Sequence, residues 1–431
     1  MITEIRGTET LASCLDAVLA SHHEELLIGF GHGSIEDDWL MLIGDSRLGT
    51  DDEVTRDRHG LHWTGALTSW MHSEARRSGR GILLLHAHGG SGRAPRPSQT
   101  DVDTADEILP HFGLLLPDVV HAYVVINATH ACGWLQVNDE RRVLTELRSA
   151  TNPLRRWSNR VDRDCEPVLS RDHRHAEALG RRGIDWLRRS TVGIVGLGGA
   201  GSQVTEMLAH AGLGRLVMAD ADVVEDVNLS RTHGTSPDEI GQAKVQSAKA
   251  MVERISPETT ATAIRAAFPT TELLRELRWV DVLVSCVDTV HARNEINRFA
   301  LRYGIPLLDV GTTITPDPFR VDGHLSLTIP GSQCLRCAGH VSDALLAEEQ
   351  EAARQGRYGI NEKRPQVVSF NGLLASASVT EVLKLITGFA GEVGGSREWH
   401  YDPVVNEFRP VGLAAGGCSE CSWYAMRGDD A

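Results

Sequence analysis

The sequence has no apolar run approaching eighteen residues, which argues against a membrane-spanning helix. Its start, Met1-Ile-Thr-Glu-Ile-Arg6, lacks the basic-then-apolar pattern of a secretory signal, so a cytoplasmic location is expected. It also lacks a basic surplus: 43 Lys and Arg stand against 58 Asp and Glu, a formal charge of −15. Nucleic acid is therefore a poor main partner, because binding a phosphate backbone needs a concentrated basic face. Internal repeats and extended low-complexity tracts are missing too. With 41% hydrophobic and 23% charged residues, disorder, collagen and coiled coil are excluded as readings. What remains is a folded chain of 431 residues, long enough for two or three domains at about 150 residues each.

The stretch from Arg142 to about Cys165 is rich in Arg, Asn and Asp and separates two patterns. Domains are expected over 1–145 and 171–431, with a linker at 146–170. In the first, Leu26–Ile28 and Trp39–Ile43 read as a strand pair, Leu61–Arg77 as a helix, and Ile82–Leu85 as a strand running into His86-Ala-His88. In the second, apolar strands at Val192–Val195, Arg215–Met218, Val282–Val284 and Pro306–Val310 alternate with glycine turns and helices. That rhythm predicts an α/β fold with a mainly parallel sheet. Residues from Arg427 onward are expected to fray.

Val192-Gly-Ile-Val-Gly196-Leu-Gly198-Gly199-Ala-Gly201-Ser202 leaves a strand and opens a helix, where glycines let backbone amides approach a phosphate. Alone this turn says only "nucleotide", and the acidic strand end Asp220-Ala-Asp222 suits the ribose of NAD as well as of ATP. Arg231 and Lys244 add a cation pair suited to a triphosphate, and Asp288 ends a later strand with a carboxylate suited to magnesium. Nothing looks like a hydride-transfer site.

Eight cysteines are present, and four form two pairs, Cys334-Leu-Arg-Cys337 and Cys418-Ser-Glu-Cys421. Four thiolates on two short knuckles match tetrahedral zinc, and a closed shell of this kind is structural. Ala338 to Gly417 contains no cysteine, and Cys286 reads as a core residue of an apolar strand.

In the N-terminal part, His86 and His88 lie two apart on a strand and so share a face, and Asp101 in Ser98-Gln-Thr-Asp101 opens the next helix. Three ligands leave one position for water. An upstream glutamate would serve as general base and Ser98 as oxyanion donor, the set a metallopeptidase needs. Eight other histidines (22, 23, 32, 59, 62, 72, 111 and 121) match no motif, and most of them are expected at the surface or as satisfied structural groups.

Over about Arg171 to Cys421 the chain resembles the ubiquitin-activating enzymes and their bacterial relatives ThiF and MoeB. It carries their glycine turn, D-x-D strand end, and N-L-x-R, G-x-x-K and D-N-x-x-x-R segments in order, with Ser230, Thr232 and Thr289 as departures. The resemblance implies a Rossmann-like domain that adenylates a protein C-terminal carboxylate with ATP and magnesium. It assigns phosphate contact to Gly199 in the Gly196, Gly198, Gly199, Gly201 turn and ribose contact to Asp220. Asn228, Arg231 and Lys244 fall to the phosphates, and Asp288 to magnesium. Arg174, in Arg171-Asp-His-Arg174-His175, stands where the family has an arginine reaching the partner's ATP, which implies a homodimer. Many MoeB-like members carry the two cysteine knuckles. Ubiquitin-activating enzymes and ThiF use a further cysteine in the segment that here lacks one, so this chain is expected to stop at the acyl-adenylate.

Residues 15–140 resemble the JAMM (JAB/MPN) metallopeptidases, whose order is Glu, then H-x-H, then S-x-x-D. The resemblance implies an α+β, cytidine-deaminase-like domain holding a second zinc through His86, His88 and Asp101. Glu24 is chosen as the base by its spacing to Gly31, with Glu25 as rival, and Gly89 stands where many members have proline. Together the two resemblances imply adenylation of a ubiquitin-like or sulfur-carrier protein coupled to zinc-dependent peptide or isopeptide cleavage. The alternative keeps MoeB-like adenylation, feeds a thiocarboxylate for cofactor or metabolite synthesis, and makes the N-terminal domain an inactive docking module. A conjugating enzyme or a sulfurtransferase would be the further partner.

Overall fold

The computed structural model describes residues 2–36, 38–57, 60–88, 95–159, 168–316, 319–355, 366–392, 394–402, 405–413 and 416–430. The chain divides into two compact units. Met1–Asp164 forms the first, together with Arg302–Gly304 and Trp423–Ala431, and Cys165–Leu301 with Ile305–Ser422 forms the second.

The first unit runs β1 (Thr3–Gly7), α1 (Glu9–Ala20), β2 (Leu27–Ile35), β3 (Trp39–Leu48), β4 (Val54–Asp57), β5 (Gly60–Trp63), α2 (Gly65–Ser78), β6 (Gly81–Ala87), α3 (Gln99–Leu115), β7 (His121–Ile126), β8 (Ala131–Val137), β9 (Glu140–Val143), β10 (Glu146–Ser149) and β11 (Arg155–Ser158). Nine strands form one mixed sheet in the order β11-β10-β1-β3-β2-β6-β7-β8-β9, and β4 pairs with β5 alone. Alternation along β6 explains the layering. Leu83 and Leu85 pack with Leu11, Leu15 and Val18 of α1, whereas Ile82 and Leu84 pack with Met71 of α2 and Leu109 and Phe112 of α3. Side chains two apart share a face, so helices cover both sides of the sheet. Each fully buried Leu or Phe contributes roughly 1.5–3 kcal/mol of transfer free energy.

Three expectations need correction. Residues 146–170 are not simply a linker, because Glu146–Ser149 pairs in parallel with β1 and Arg155–Ser158 pairs with β10, extending the sheet despite their polar sequence. Leu61–Trp63 lies in β5, and the helix starts at Gly65 because the Thr64 side chain accepts the Leu67 amide as its N-cap. The chain end is held rather than frayed: Gly428–Asp430 makes a 3-10 turn, and Asp429 accepts a hydrogen bond from Ser34 at 2.7 Å. Among the histidines without a motif, His72 stacks on His111 and its buried Nε2 has no partner among the described residues, and His59 lies outside the described residues.

The second unit runs α4 (His173–Arg189), β12 (Thr191–Val195), α5 (Gly199–His210), β13 (Arg215–Ala219), α6 (Lys244–Ile255), β14 (Thr260–Ile264), α7 (Thr271–Leu277), β15 (Val282–Ser285), α8 (Val290–Arg302), β16 (Leu307–Pro316), β17 (Phe319–Thr328), α9 (Asp343–Arg354), α10 (Val368–Thr387), β18 (Arg397–Asp402), β19 (Glu407–Val411) and α11 (Ser419–Tyr424). Its sheet order is β14-β13-β12-β15-β16-β17-β18-β19. The expected parallel sheet accounts for β12–β16 only, and β17–β19 continue it antiparallel. The β16–β17 and β18–β19 connections are short and return the chain directly, a geometry open only to antiparallel neighbours.

Candidate functional site

The parallel strands leave β12 toward β13 on one side and β15 on the other, so the order reverses between β12 and β15. In open α/β sheets, ligands bind outside the carboxyl ends of the strands at this switch point. Gly196 sits there with φ +92°, and a Cβ at this position would stand 2.7 Å from the Cys286 carbonyl oxygen at the end of β15. Gly201 is held just as closely, since its Cβ would lie 1.9 Å from the Gly196 oxygen. The turn therefore brings the first amides of α5 to the strand ends. Gly198 caps that helix with no side-chain bond, which leaves those amides to an anion.

Asp220 follows β13 and accepts from the Leu197 amide at 2.7 Å and the Asp222 amide at 2.8 Å, so its carboxylate stitches the glycine turn to the next strand. Lys244 opens α6, is 9% exposed, and donates to Asp222 at 2.8 Å. Asn228 is buried and caps its own 3-10 turn by accepting from the Glu225 amide at 2.9 Å. Arg231 donates to the Val227 carbonyl at 2.7 Å. Asp288 is exposed three residues beyond β15. Arg174 is exposed in the first turn of α4, and among the described residues it makes no hydrogen bond or ion pair.

One group here was missed in the sequence. Arg293 donates through Nε to Asp309 at 2.7 Å and through Nη2 to the Val287 carbonyl at 3.1 Å, so it fixes the turn that carries Asp288. Asp309 is fully buried. Burial pushes its carboxyl up, but Arg293, His324 and Ser285 outweigh that and hold it well below the ordinary range. Arg293 stands at the arginine position of the D-N-x-x-x-R segment, which is the signal that would have found it.

The four knuckle cysteines converge. Cys334 and Cys418, Cys337 and Cys421, and Cys418 and Cys421 each have sulfurs 3.7 Å apart. Tetrahedral zinc with Zn–S bonds of about 2.3 Å separates its sulfurs by roughly 3.8 Å, so the donor set fits zinc. Support comes from α8, where Asn297 accepts the Leu335 amide at 3.1 Å and Arg298 grips Glu420 with two bonds of 2.8 and 2.9 Å.

In the first unit, Nε2 of His86 lies 3.1 Å from Nε2 of His88 and 3.1 Å from Asp101 Oδ1, and His88 Nε2 lies 3.3 Å from Asp101 Oδ2. Imidazole and carboxylate donors at about 2.0–2.1 Å from one ion would be spaced like this. Ser98 and Asp101 form a capping box: Ser98 Oγ accepts the Asp101 amide at 3.2 Å and donates to Oδ2 at 2.8 Å. Tyr123 donates to Asp101 Oδ1 at 3.2 Å. Burial raises the Asp101 carboxyl, yet hydrogen bonds from His86 and His88 overcome it and hold it well below the usual range. His88 is correspondingly raised, first by its bond to Asp101, with a further contribution from the charge of Glu24. Burial first, then Asp101, and least the Glu24 charge raise the Tyr123 hydroxyl, and Glu25 accepts from Ser21 at 3.2 Å. Gly89 and Cys165 lie outside the described residues. Cys132 donates to the Pro95 carbonyl, and burial lifts its thiol to about 11. Burial likewise raises the Cys286 thiol, well out of the nucleophilic range.

A profile of the ThiF family matches residues 169–421. Among curated proteins, the molybdopterin-synthase adenylyltransferase of Escherichia coli K12 is 30% identical over 250 residues, covering 56% of this chain and 92% of that protein. The ubiquitin-like modifier-activating enzyme 5 of Gallus gallus is 31% identical over 229 residues, 49% of this chain and 55% of that protein, so the match spans about half of that relative's length. Among solved structures, E. coli MccB with MccA-N7isoASN shares the fold at a TM-score of 0.50 and 21% identity, covering 60% of this chain and 76% of that one. With more than half of its residues matched by the profile, the chain belongs to the ThiF family of adenylating proteins.

Proposed function

We propose that the second unit uses ATP to adenylate the C-terminal carboxylate of a ubiquitin-like protein, sulfur carrier or peptide, and that the product feeds thiocarboxylate formation. The supporting observation is the switch-point cluster, in which the glycine turn, Asp220 and Asp288 follow three adjacent strands and Lys244, at the start of α6, pairs with Asp222. The carboxylate oxygen attacks the α-phosphorus, a new P–O bond forms, and the bond to pyrophosphate breaks. Charge grows on phosphoryl oxygens, where α5 amides and the Arg231 and Lys244 cations stabilise it. Lys244 exchanges Asp222 for a phosphate as ATP enters. Asp288 would hold magnesium, which would supply further charge neutralisation. No protein nucleophile is used, in keeping with the cysteine-free stretch from Ala338 to Gly417. Arg174 completes the site of a second copy, so the active form is a homodimer. A sulfurtransferase is the acceptor's source of sulfur in this reading, and a conjugating enzyme takes its place if the carrier is a modifier.

ATP–pyrophosphate exchange tests this, run with and without a diglycine-ended carrier and compared with Asp288→Ala. Carrier-dependent exchange that falls by about 100-fold or more in the variant supports the reading. Exchange that is absent with every carrier and peptide overturns it.

A second reading is favoured by the spacing of His86, His88 and Asp101: the first unit is a JAMM-like zinc peptidase acting on the same carrier or its conjugates. Zinc bound there supplies Lewis acidity. His86, His88 and Asp101 would hold the ion, Glu24 takes the proton from the attacking water, and Ser98 donates to the developing oxyanion after giving up its bond to Asp101. If carrier fusions stay uncut while zinc is bound, this unit is a docking module.

A further inference from the structure

A third group of ligand-type side chains lies outside both sites. His340 leaves the first cysteine knuckle, with its amide donating to the Leu335 carbonyl at 3.0 Å. Glu398 and His400 are two apart on β18 and share a face. Opposite them on β17, His324 pairs with His400 and Ser326 with Glu398. Glu398 Oε1 lies 2.8 Å from His340 Nε2 and 3.3 Å from His400 Nε2, and one ligand atom from each residue falls within 4.8 Å of the others.

Glu398 carries the argument. It is 2% exposed, and its second oxygen, Oε2, has no hydrogen-bond partner among the described residues. A buried carboxylate needs a cation or a full set of donors, because desolvation of an uncompensated charge is expensive. Here both imidazoles converge on one oxygen and the other is left orphaned. The His340 ring is fixed by stacking on His324, with centroids 3.8 Å apart and planes 20° apart. His324 is anchored in turn by Asp309 at 2.8 Å. Two imidazoles and a carboxylate held in this way are the donor types and spacing of a divalent-ion site.

We propose that His340, Glu398 and His400 bind one divalent transition-metal ion of the zinc class, with the coordination positions beside the half-exposed His400 open to water or a ligand carboxylate. The site is separate from the four-thiolate cluster and needs neither the adenylation reading nor the peptidase reading.

Zinc alone is the probe. The full chain carrying His86→Ala and Asp101→Asn, which empty the first unit, is titrated with Zn²⁺ by calorimetry, and its bound metal is counted by mass spectrometry. One equivalent beyond the thiolate-bound ion is expected. Adding His400→Ala or Glu398→Gln should weaken that equivalent by more than about tenfold. His400 is at the surface, so its variant should fold, and the retained thiolate zinc reports that it has. If no second equivalent binds, or if His400→Ala binds it as tightly as the parent, the proposal is overturned and the cluster is an ion pair between histidine and Glu398.

Discussion

The cysteine cluster and the His86, His88, Asp101 cluster are both preformed, but they differ in closure. Four sulfurs, three pairs of them 3.7 Å apart, supply all four ligands that tetrahedral zinc takes, whereas three N and O donors at 3.1–3.3 Å supply only three. A closed shell can only hold chain segments together, and an open one can also take a reactant. Their supports differ accordingly. Asn297 and Arg298 brace the knuckles from a helix of the same unit, while Asp101 is shared among two imidazoles and a capping serine, which hold its carboxyl low, and a tyrosine hydroxyl that donates to it.

The largest effect expected from breaking this contrast comes from Cys418→Ser. Structural zinc sites contribute on the order of 10 kcal/mol of folding free energy, so the variant should lose one zinc per chain and the second unit should melt far earlier in calorimetry. The pH dependence of the first unit is next. Burial depresses His121 to about 4 from its ordinary 6.5, and its Nδ1 accepts the Ile82 amide at 3.3 Å. A lowered folded-state value means that protonation favours unfolding. The His121 contribution is therefore fully present above pH 6.5 and is lost as pH falls toward 4, by about 3 kcal/mol at most. His121→Asn should flatten that limb of the melting-temperature profile. Asp101→Asn should abolish the zinc binding proposed for the first unit while lowering stability by only about 1–3 kcal/mol and leaving pyrophosphate exchange unchanged. A collapse as deep as that of Cys418→Ser would erase the distinction between the clusters. Smallest is Ser98→Ala, which removes the α3 cap at about 1 kcal/mol and should leave zinc bound.

Local spacing made much of this readable. C-x-x-C, H-x-H and S-x-x-D place their side chains through one turn, one strand or one helix start, so the ligand sets could be named before any tertiary contact was known. The glycine turn was legible for the same reason, and so was the family. Other features depended on partners distant in sequence. Arg155–Ser158 looks like linker because its residues are polar, yet it gains strand geometry by pairing with β10. The antiparallel half of the second sheet was hidden because β17–β19 are short on the apolar runs that mark buried parallel strands.

Sequence by itself determined the ligand chemistry, the order of the nucleotide segments and the need for glycine at Gly196 and Gly201. Tertiary structure alone decided that Arg293 joins Asp309 to the Val287 carbonyl beside Asp288, and that Glu398 lies against His340, 58 positions away. The reason is physical: short-range motifs are set by backbone periodicity, whereas the burial that leaves Glu398 Oε2 without a donor among the described residues exists only once strands from distant parts of the chain have closed around it.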